Sequence, residues 1–210
     1  MSLDTFRSET REFLEANCPQ SMRGRVVHFE DAHEIYSTDD ANLWRDRMAA
    51  RGWTAPTWPK ELGGGGLNYD ENKVLAEEMA AIKAMAPATG MGLAMIGPTL
   101  LEYGTEEQKA NWIDDLANSR AGFAFGITEP DHGSDATYME THAEKVGDEW
   151  VINGRKTWNT GIHKAPYDLI FARTSGEPGD GRGITAFLVP MDSEGLEIEE
   201  MLWTFNMPTD

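Results

Sequence analysis

The residues from Gly126 to Asp135 combine several groups that could bind a ligand. They read Gly-Ile-Thr-Glu-Pro-Asp-His-Gly-Ser-Asp and follow the apolar run 123–125. This composition predicts a strand that ends in a polar loop. The hydroxyls of Thr128 and Ser134, the backbone N–H groups and the close approach that Gly133 allows suit recognition of a polar cofactor edge or a phosphate. Taken alone, the stretch also suits an ordinary turn held by side-chain hydrogen bonds.

A second candidate is Trp158-Asn159-Thr160, which we expect on a later strand. A Trp beside a Thr offers a flat apolar wall and one hydrogen bond to a planar heterocycle, although a core Trp in a strand is the alternative. The histidines are scattered, and no pair of His, Cys or carboxylate residues has metal-site spacing. No Gly-x-Ser-x-Gly elbow occurs either. We therefore predict no metal site and no serine hydrolase.

Composition and charge exclude further classes of function. The chain has 210 residues, 40% of them hydrophobic, which is enough to bury one large core or two small ones. Its net charge of -18 argues against sequence-independent nucleic-acid binding and against docking on anionic membranes. The single cysteine, Cys18, excludes an internal disulfide and fits a reducing compartment. The N-terminus has no signal-peptide pattern and no apolar run reaches membrane-spanning length, so we expect a cytoplasmic protein.

Helical periodicity runs through the first half of the chain. Five helices are predicted: from Leu3 to a stop at Pro19, from a cap at Asp39 or Asp40 to Gly52, from a capping box at Asn68 to Pro87, from Met91 to Tyr103 with a kink at Pro98, and from a capping box at Thr105 past Leu116. The fourth is apolar nearly all round, which predicts burial on several sides. The connector 53–66 holds two Trp, two Pro and four consecutive Gly, so we expect irregular backbone pinned by its rings.

Strand signals replace the helical period after Gly122. A hairpin is predicted over 140–152 around Gly147-Asp148, and Asn153-Gly154 predicts a further hairpin turn leading into a strand over 155–160. Two apolar runs of strand length follow at 169–172 and 184–189. Helices first and strands second imply an α+β chain with two segregated layers or domains, not a βαβ nucleotide-binding fold.

Two segments resemble signatures of the acyl-CoA dehydrogenases. Residues 128–135 resemble the family's Thr-Glu-Pro-x-x-Gly-Ser-Asp, and residues 153–160 resemble its Asn-Gly-x-Lys-x-Trp-x-Thr. Residues 55–64 and 103–109 match other phrases common in that family, in the same order along the chain. The resemblance implies an N-terminal helical domain over 1–121, followed by a mostly antiparallel β domain over 122–210 that binds FAD.

The resemblance also implies which residues contact FAD: Phe125, Gly126, Ile127, Thr128, Gly133, Ser134, Trp158, Asn159 and Thr160. It places Thr128 near the pyrimidine side of the flavin ring, Trp158 beside the ring, and the Thr160 hydroxyl near N5, where hydride arrives. It places Ser134 near the pyrophosphate and the acyl-CoA thioester, so Ser134 is also the candidate for substrate binding. Asn159 departs from the aliphatic residue often found at that position.

The implied reaction is α,β-dehydrogenation of an acyl-CoA thioester by a homo-oligomer or a heteromeric complex. A glutamate base removes the α proton, hydride passes from Cβ to flavin N5, and an electron-transfer flavoprotein takes the electrons. The protein supplies position and hydrogen bonds, including those that stabilise the developing enolate. We expect the base beyond residue 210, in a second helical domain, and we expect Glu129 to be structural.

Two alternatives stay open at this point. One is a non-catalytic flavin-binding subunit or fragment that pairs with a complete partner chain, and the other is a relative of flavin monooxygenases or nitroalkane oxidases.

The basic candidates for binding CoA phosphates could equally form a solvated face. They are Arg155, Lys156, Lys164, Arg173 and Arg182.

Overall fold

The computed structural model describes residues 2–24, 38–120, 122–163 and 165–199, and the backbone of 203–204 and 207–208. The chain divides into two compact units, Met1–Ala121 and Gly122–Asp210. The first is helical and the second is built on a sheet, so the predicted α+β class is confirmed. Among the described helices, none is long and apolar enough to cross a membrane.

The described part of the helical unit contains five α-helices, as predicted. They are α1 (Leu3–Asn17), α2 (Asp39–Ala49), α3 (Tyr69–Ala81), α4 (Gly97–Tyr103) and α5 (Glu106–Ala117). Both predicted capping boxes are present. Asn68 Oδ1 accepts from Glu71 N at 3.0 Å, and Thr105 Oγ1 accepts from Gln108 N at 3.2 Å. These side chains satisfy backbone donors that a helix start leaves free.

The start of α2 and the end of α3 differ from the prediction. Thr38, and not Asp39 or Asp40, caps α2, and the two carboxylates lie in its first turn, where they interact favourably with the helix dipole. The helix α3 ends well before Pro87. Lys83 has a left-handed backbone with φ of 53°, which ends the helical path without a proline.

The predicted helix over 91–103 is in two parts. Gly92–Ile96 forms a turn of π-helix, and α4 follows it with Pro98 in its first turn, where a missing N–H is tolerated. The expected burial on several sides is wrong within this unit, because Met95 is 41% and Tyr103 81% exposed.

An ion cluster around the buried side chain of Glu78 joins α1 to α3. Arg7 Nη1 and Arg11 Nε each lie 2.8 Å from a carboxylate oxygen of Glu78, whose side chain is 4% exposed. The adjoining core includes the fully buried Leu14 and Trp44. Since Glu78 lies on the inward face of α3, its charge is tolerated there only because both guanidinium groups reach it.

The connector 53–66 is irregular and pinned by its rings, as predicted. Trp53 and Trp58 are 6% and 9% exposed. Gly64 packs against the Trp58 backbone so closely that a Cβ would lie 2.3 Å from the Trp58 carbonyl oxygen. The run of glycines therefore includes a position that only glycine can occupy.

The sheet of the second unit is organised around its fourth strand. The strands are β1 (Phe123–Gly126), β2 (His142–Val146), β3 (Glu149–Asn153), β4 (Tyr167–Arg173) and β5 (Ile184–Pro190), with a separate pair β6 (Trp203–Thr204) and β7 (Met207–Pro208). β5 is antiparallel along all of β4, while β1 and then β2 run parallel to it on the other edge. The loop 127–141 thus leaves and rejoins the same edge of β4. β2 and β3 form the predicted hairpin.

Candidate functional site

The two signature segments lie against each other at the ends of β1 and β3. Thr157 N donates to the Thr128 carbonyl at 2.9 Å, and Lys156 Nζ donates to the Ile127 carbonyl at 3.2 Å. Lys156 Nζ also lies 2.8 Å from Glu129 Oε1. These contacts hold residues that are almost thirty positions apart side by side.

Glu129 anchors the loop 127–141 that follows β1, which is the first loop of the site. Its side chain is 5% exposed, and its carboxylate accepts from the backbone N–H groups of Glu140 at 2.6 Å and Thr141 at 2.9 Å as well as from Lys156. Burial acts to raise the pKa of Glu129, but the hydrogen bonds from Lys156 and Thr141 outweigh burial and lower the pKa to about 2. Glu129 is therefore ionised and fully engaged in holding the loop.

Residues 154–160 form a loop, so the strand predicted there and the hairpin turn predicted at Asn153-Gly154 are wrong. Gly154 packs against Thr141, where a Cβ would lie 2.2 Å from the hydroxyl oxygen. Trp158 leaves the extended conformation with φ of 62°, and it is 58% exposed. A left-handed backbone strains a large residue by about 1–2 kcal/mol, so neighbouring contacts must hold it in place.

Asp168 of β4 anchors the loop 154–160, which is the second loop of the site. Asn159 Nδ2 donates to Asp168 Oδ2 at 2.9 Å, and Asp168 is 1% exposed. Burial raises the pKa of Asp168, and the hydrogen bond from Asn159 and the charge of Lys156 oppose that rise only in part. Gly126 makes room for the pair, because a Cβ there would lie 2.9 Å from Asn159 Nδ2 and 3.0 Å from Asp168 Oδ2.

A cavity of about 980 Å³ opens beside the second loop within this unit, a size typical of ligand pockets. Trp158, Asn159 and Thr160 line it together with residues of β3 and β4. Residues 193–199, which follow β5, form another part of the wall. The lining includes an exposed indole and a hydroxyl, which together suit a planar ligand with polar edges.

The structure brings only some of the predicted site residues to the cavity. Three of them line it: Trp158, Asn159 and Thr160. Three others lie beside the second loop. The carbonyls of Ile127 and Thr128 accept hydrogen bonds from Lys156 and Thr157, and Gly126 packs beside Asn159. Phe125 packs against Phe171 with ring centroids 5.2 Å apart. Gly133 and Ser134 are exposed in the first loop and do not belong to the described cavity lining.

Both units match domain families of known proteins. Residues 2–120 match the acyl-CoA dehydrogenase N-terminal domain, and residues 124–208 match the acyl-CoA dehydrogenase middle domain. The chain belongs to the acyl-CoA dehydrogenase family. Acyl-CoA dehydrogenase IpdE1 of Mycolicibacterium smegmatis is 32% identical over 94% of this chain and 53% of its own length. The mitochondrial short-chain specific acyl-CoA dehydrogenase of Rattus norvegicus is 32% identical over 90% of this chain and 46% of its own length.

Solved acyl-CoA dehydrogenases share this fold. The "Tcur3481-Tcur3483 steroid ACAD" has a TM-score of 0.71 and 29% identity, covering 99% of this chain and 52% of that one. The ChsE4-ChsE5 complex from Mycobacterium tuberculosis has a TM-score of 0.69 and 29% identity, covering 99% of this chain and 51% of that one. The predicted resemblance is confirmed, and the chain spans about half the length of the curated relatives it matches.

The basic residues considered for CoA phosphates all have protein partners where they are described. The ion pairs are Arg155 with Glu199, Lys156 with Glu129 and Arg182 with Asp180, while Arg173 donates to backbone carbonyls. Lys164 lies outside the described residues. Arg155 and Arg182 are exposed enough to exchange a carboxylate for a phosphate, because exposed ion pairs are weak.

Sequence reasoning missed two residues that organise the candidate site. Lys156 was considered only as a phosphate ligand, although it occupies the lysine position of the second signature and pairs with Glu129. Asp168 was not considered. The available signal was a carboxylate directly before the apolar run 169–172, a position where a charge is expected to be buried with a partner.

Proposed function

We propose that this chain provides the FAD- and acyl-CoA-binding part of an acyl-CoA dehydrogenase, with 1–121 and 122–210 acting as its helical and β domains. The supporting observation is the pairing of the two signature segments beside a cavity in which Trp158 is exposed. The indole face and the Thr160 hydroxyl fit the planar, polar-edged ring of FAD, and Asn159 is a further proposed FAD contact through its backbone. The proposed FAD contacts also include Phe125, Gly126, Ile127, Thr128, Gly133 and Ser134, and Ser134 is the proposed substrate contact.

The residues of this chain would orient the reactants and exclude water. Trp158 would cover one face of the ring, and Thr160 would hydrogen-bond at its edge. When bound, FAD would accept the hydride that leaves the substrate Cβ. Glu129 is not the base for the α proton, because it is buried, has a pKa of about 2 and is held by three donors. A base located beyond residue 210 stays a prediction.

We also propose that the chain acts in a complex with a second polypeptide. Two solved relatives are named for two components each, Tcur3481-Tcur3483 and ChsE4-ChsE5. The same observation favours the second candidate function, a non-catalytic flavin-binding subunit of such a complex.

In either case we propose that the protein is cytoplasmic. For the dehydrogenase we propose that an electron-transfer flavoprotein accepts the electrons from the flavin.

The first test is a visible absorption spectrum of the purified chain after reconstitution with FAD. We expect a protein-bound flavin band that survives gel filtration. Trp158→Ala and Thr160→Val should weaken FAD binding, whereas Val146→Ala, an exposed apolar position outside the cavity lining, should not. A chain that binds no FAD alone or with a co-expressed partner contradicts the proposal.

The second test adds acyl-CoA thioesters, including short-chain and steroid side-chain examples. Bleaching of the flavin band on addition of a thioester supports dehydrogenation, because reduction of the flavin accompanies substrate oxidation. A stable flavin band that no thioester bleaches, even in the presence of the partner, supports the non-catalytic subunit instead.

A further inference from the structure

The carboxyl group of Asp168 is the buried titratable group for which the site has no evident charge partner. It is 1% exposed at the centre of the sheet. Three groups face it: the Asn159 amide, the backbone N–H of Gly126 and, at longer range, the Lys156 ammonium. Val189, its neighbour on β5, brings no charge. No cation in the described part of the chain forms an ion pair with it.

The charge balance of this region is already complete without Asp168. Lys156 and Glu129 form an ion pair at 2.8 Å with both side chains at most 7% exposed. An ionised Asp168 would add one negative charge, which among the described residues only the more distant Lys156 faces, and Lys156 is already paired with Glu129. Such a charge is unfavourable in a buried site, and the usual outcome is that the group takes up a proton.

The hydrogen-bond pattern indicates the same protonation state. Asn159 Nδ2 donates to Asp168 Oδ2, yet the buried Asn159 Oδ1 and Asp168 Oδ1 find no hydrogen-bond partner among the described residues. Both are acceptors when the carboxylate is ionised, so neither can satisfy the other. A proton on Asp168 Oδ1 converts that oxygen into a donor, and one further hydrogen bond then satisfies both atoms.

We propose that Asp168 is protonated in the folded chain, pairs with the Asn159 amide through two hydrogen bonds, and thereby positions Trp158-Asn159-Thr160 at the cavity. Asp168 is then a positioning residue for the FAD site, an inference that rests on the proposed function. Trp158 needs such support, because its left-handed backbone is strained. The described contacts on either side of it are the hydrogen bond from Thr157 to Thr128 and the one from Asn159 to Asp168.

The direction of the pH dependence follows from the protonated state. The pKa of Asp168 is raised in the folded chain by burial. The Asp168–Asn159 pair therefore stabilises the fold fully when the pH is below the pKa of Asp168 in the unfolded chain. This stabilisation is lost as the pH rises through the pKa of Asp168 in the folded chain. Asn at this position can make both hydrogen bonds of the neutral acid with no proton to lose. Asp168→Asn should therefore reproduce the low-pH state at every pH.

The test compares wild type with Asp168→Asn, using Asp148→Asn in the exposed β2–β3 turn as the control. Without FAD, the melting temperatures of wild type and Asp168→Asn should agree at about pH 4, and wild type should fall below the variant as the pH rises. Infrared spectra at about pH 6 should show a protonated-carboxyl stretch in wild type that is absent in Asp168→Asn and present in Asp148→Asn.

Binding of FAD gives a separate measurement. Asp168→Asn should bind FAD within about twofold of wild type at low pH and more tightly at high pH, while Asn159→Leu should lose about tenfold. A wild-type chain without the infrared band, or an Asp168→Asn variant that is less stable than wild type at all pH values, overturns the inference. If wild type binds no FAD but shows the band and the pH-dependent difference, the proposed function fails and the protonated pair stands.

Discussion

Lys156 Nζ lies 2.8 Å from Glu129 Oε1, and neither side chain is more than 7% exposed. The two residues belong to different signatures, one in the loop after β1 and the other in the loop after β3. Their ion pair therefore fixes the distance between two segments that are far apart in the sequence. Because the pair is desolvated, its partners depend on each other far more than partners at the surface do.

Removing the lysine should show this dependence. Lys156→Met keeps most of the side-chain volume but leaves Glu129 without its cation, so the free energy of unfolding should fall by about 3–5 kcal/mol. Arg182→Met removes the exposed pair with Asp180 and should have a far smaller effect, because solvent screens an exposed ion pair. Urea unfolding followed by circular dichroism measures both. Equal losses in the two variants would contradict the view that the buried pair holds the site.

The stability of the chain should also depend on pH through Glu129. Its pKa falls from an ordinary 4.5 to about 2 on folding, so the stabilisation is present above the unfolded value and is lost as the pH falls through the folded one. The full effect is about 3 kcal/mol. Glu129→Gln should be less stable than wild type at neutral pH, and the gap should close towards about pH 2. A gap independent of pH would assign the loss to packing.

Gly126 at the end of β1 and Gly133 in the first signature should behave differently. At Gly126 a Cβ would lie 2.9 Å from Asn159 Nδ2, so Gly126→Ala should lower the free energy of unfolding by about 1–3 kcal/mol. At Gly133 a Cβ meets nothing within 4 Å, so Gly133→Ala should change it by less than about 0.5 kcal/mol. If Gly133 contacts FAD as predicted, FAD titration should still show weaker binding to Gly133→Ala. Unchanged binding would remove Gly133 from the site.

The left-handed backbone of Trp158 gives a prediction that separates strain from binding. Trp158→Gly relieves the strain and Trp158→Ala does not, so the glycine variant should be more stable than the alanine variant by about 1 kcal/mol. Both lose the indole wall and should bind FAD more weakly than wild type. Thermal unfolding and FAD titration measure the two effects independently. A less stable glycine variant would mean that the loop is extended at this position.

In the helical unit, neighbouring glutamates provide a matched comparison. Glu78→Gln weakens the hydrogen bonds that two partly exposed arginines donate to this buried side chain, and it should lower the free energy of unfolding by about 1–3 kcal/mol. Glu77, whose side chain is 45% exposed, pairs with Arg7 alone, and Glu77→Gln should cost less than about 1 kcal/mol. The comparison is made by urea unfolding of otherwise identical chains. The opposite ranking would show that the Glu78 cluster does not join α1 to α3.

Local signals in the sequence predicted the helices well and the second loop poorly. The capping boxes at Asn68 and Thr105 involve residues three positions apart, so their outcome does not depend on the rest of the fold. Asn153-Gly154 has the residues of a hairpin turn, yet the chain there follows contacts to Thr141 and to the first signature. Tertiary contacts of this kind override a two-residue preference.

The organisation of the site depended on information that no short segment contains. Strand β4 was predicted as an apolar run, but nothing in that run shows that Asp168 is buried against Gly126 and Asn159. That burial results from the pairing of β1 and β5 with the two edges of β4. The signatures predicted which residues meet near the cavity, whereas the groups that hold them became visible only in three dimensions.

The ion cluster at Glu78 has a consequence for synthesis of the chain. Arg11 is separated from Glu78 by 67 positions. At translation speeds of roughly 5–20 residues per second, α1 leaves the ribosome several seconds before its partner helix exists. During that interval its apolar stripe is uncovered, and a chaperone that binds such stripes would meet α1 before α3 can cover it.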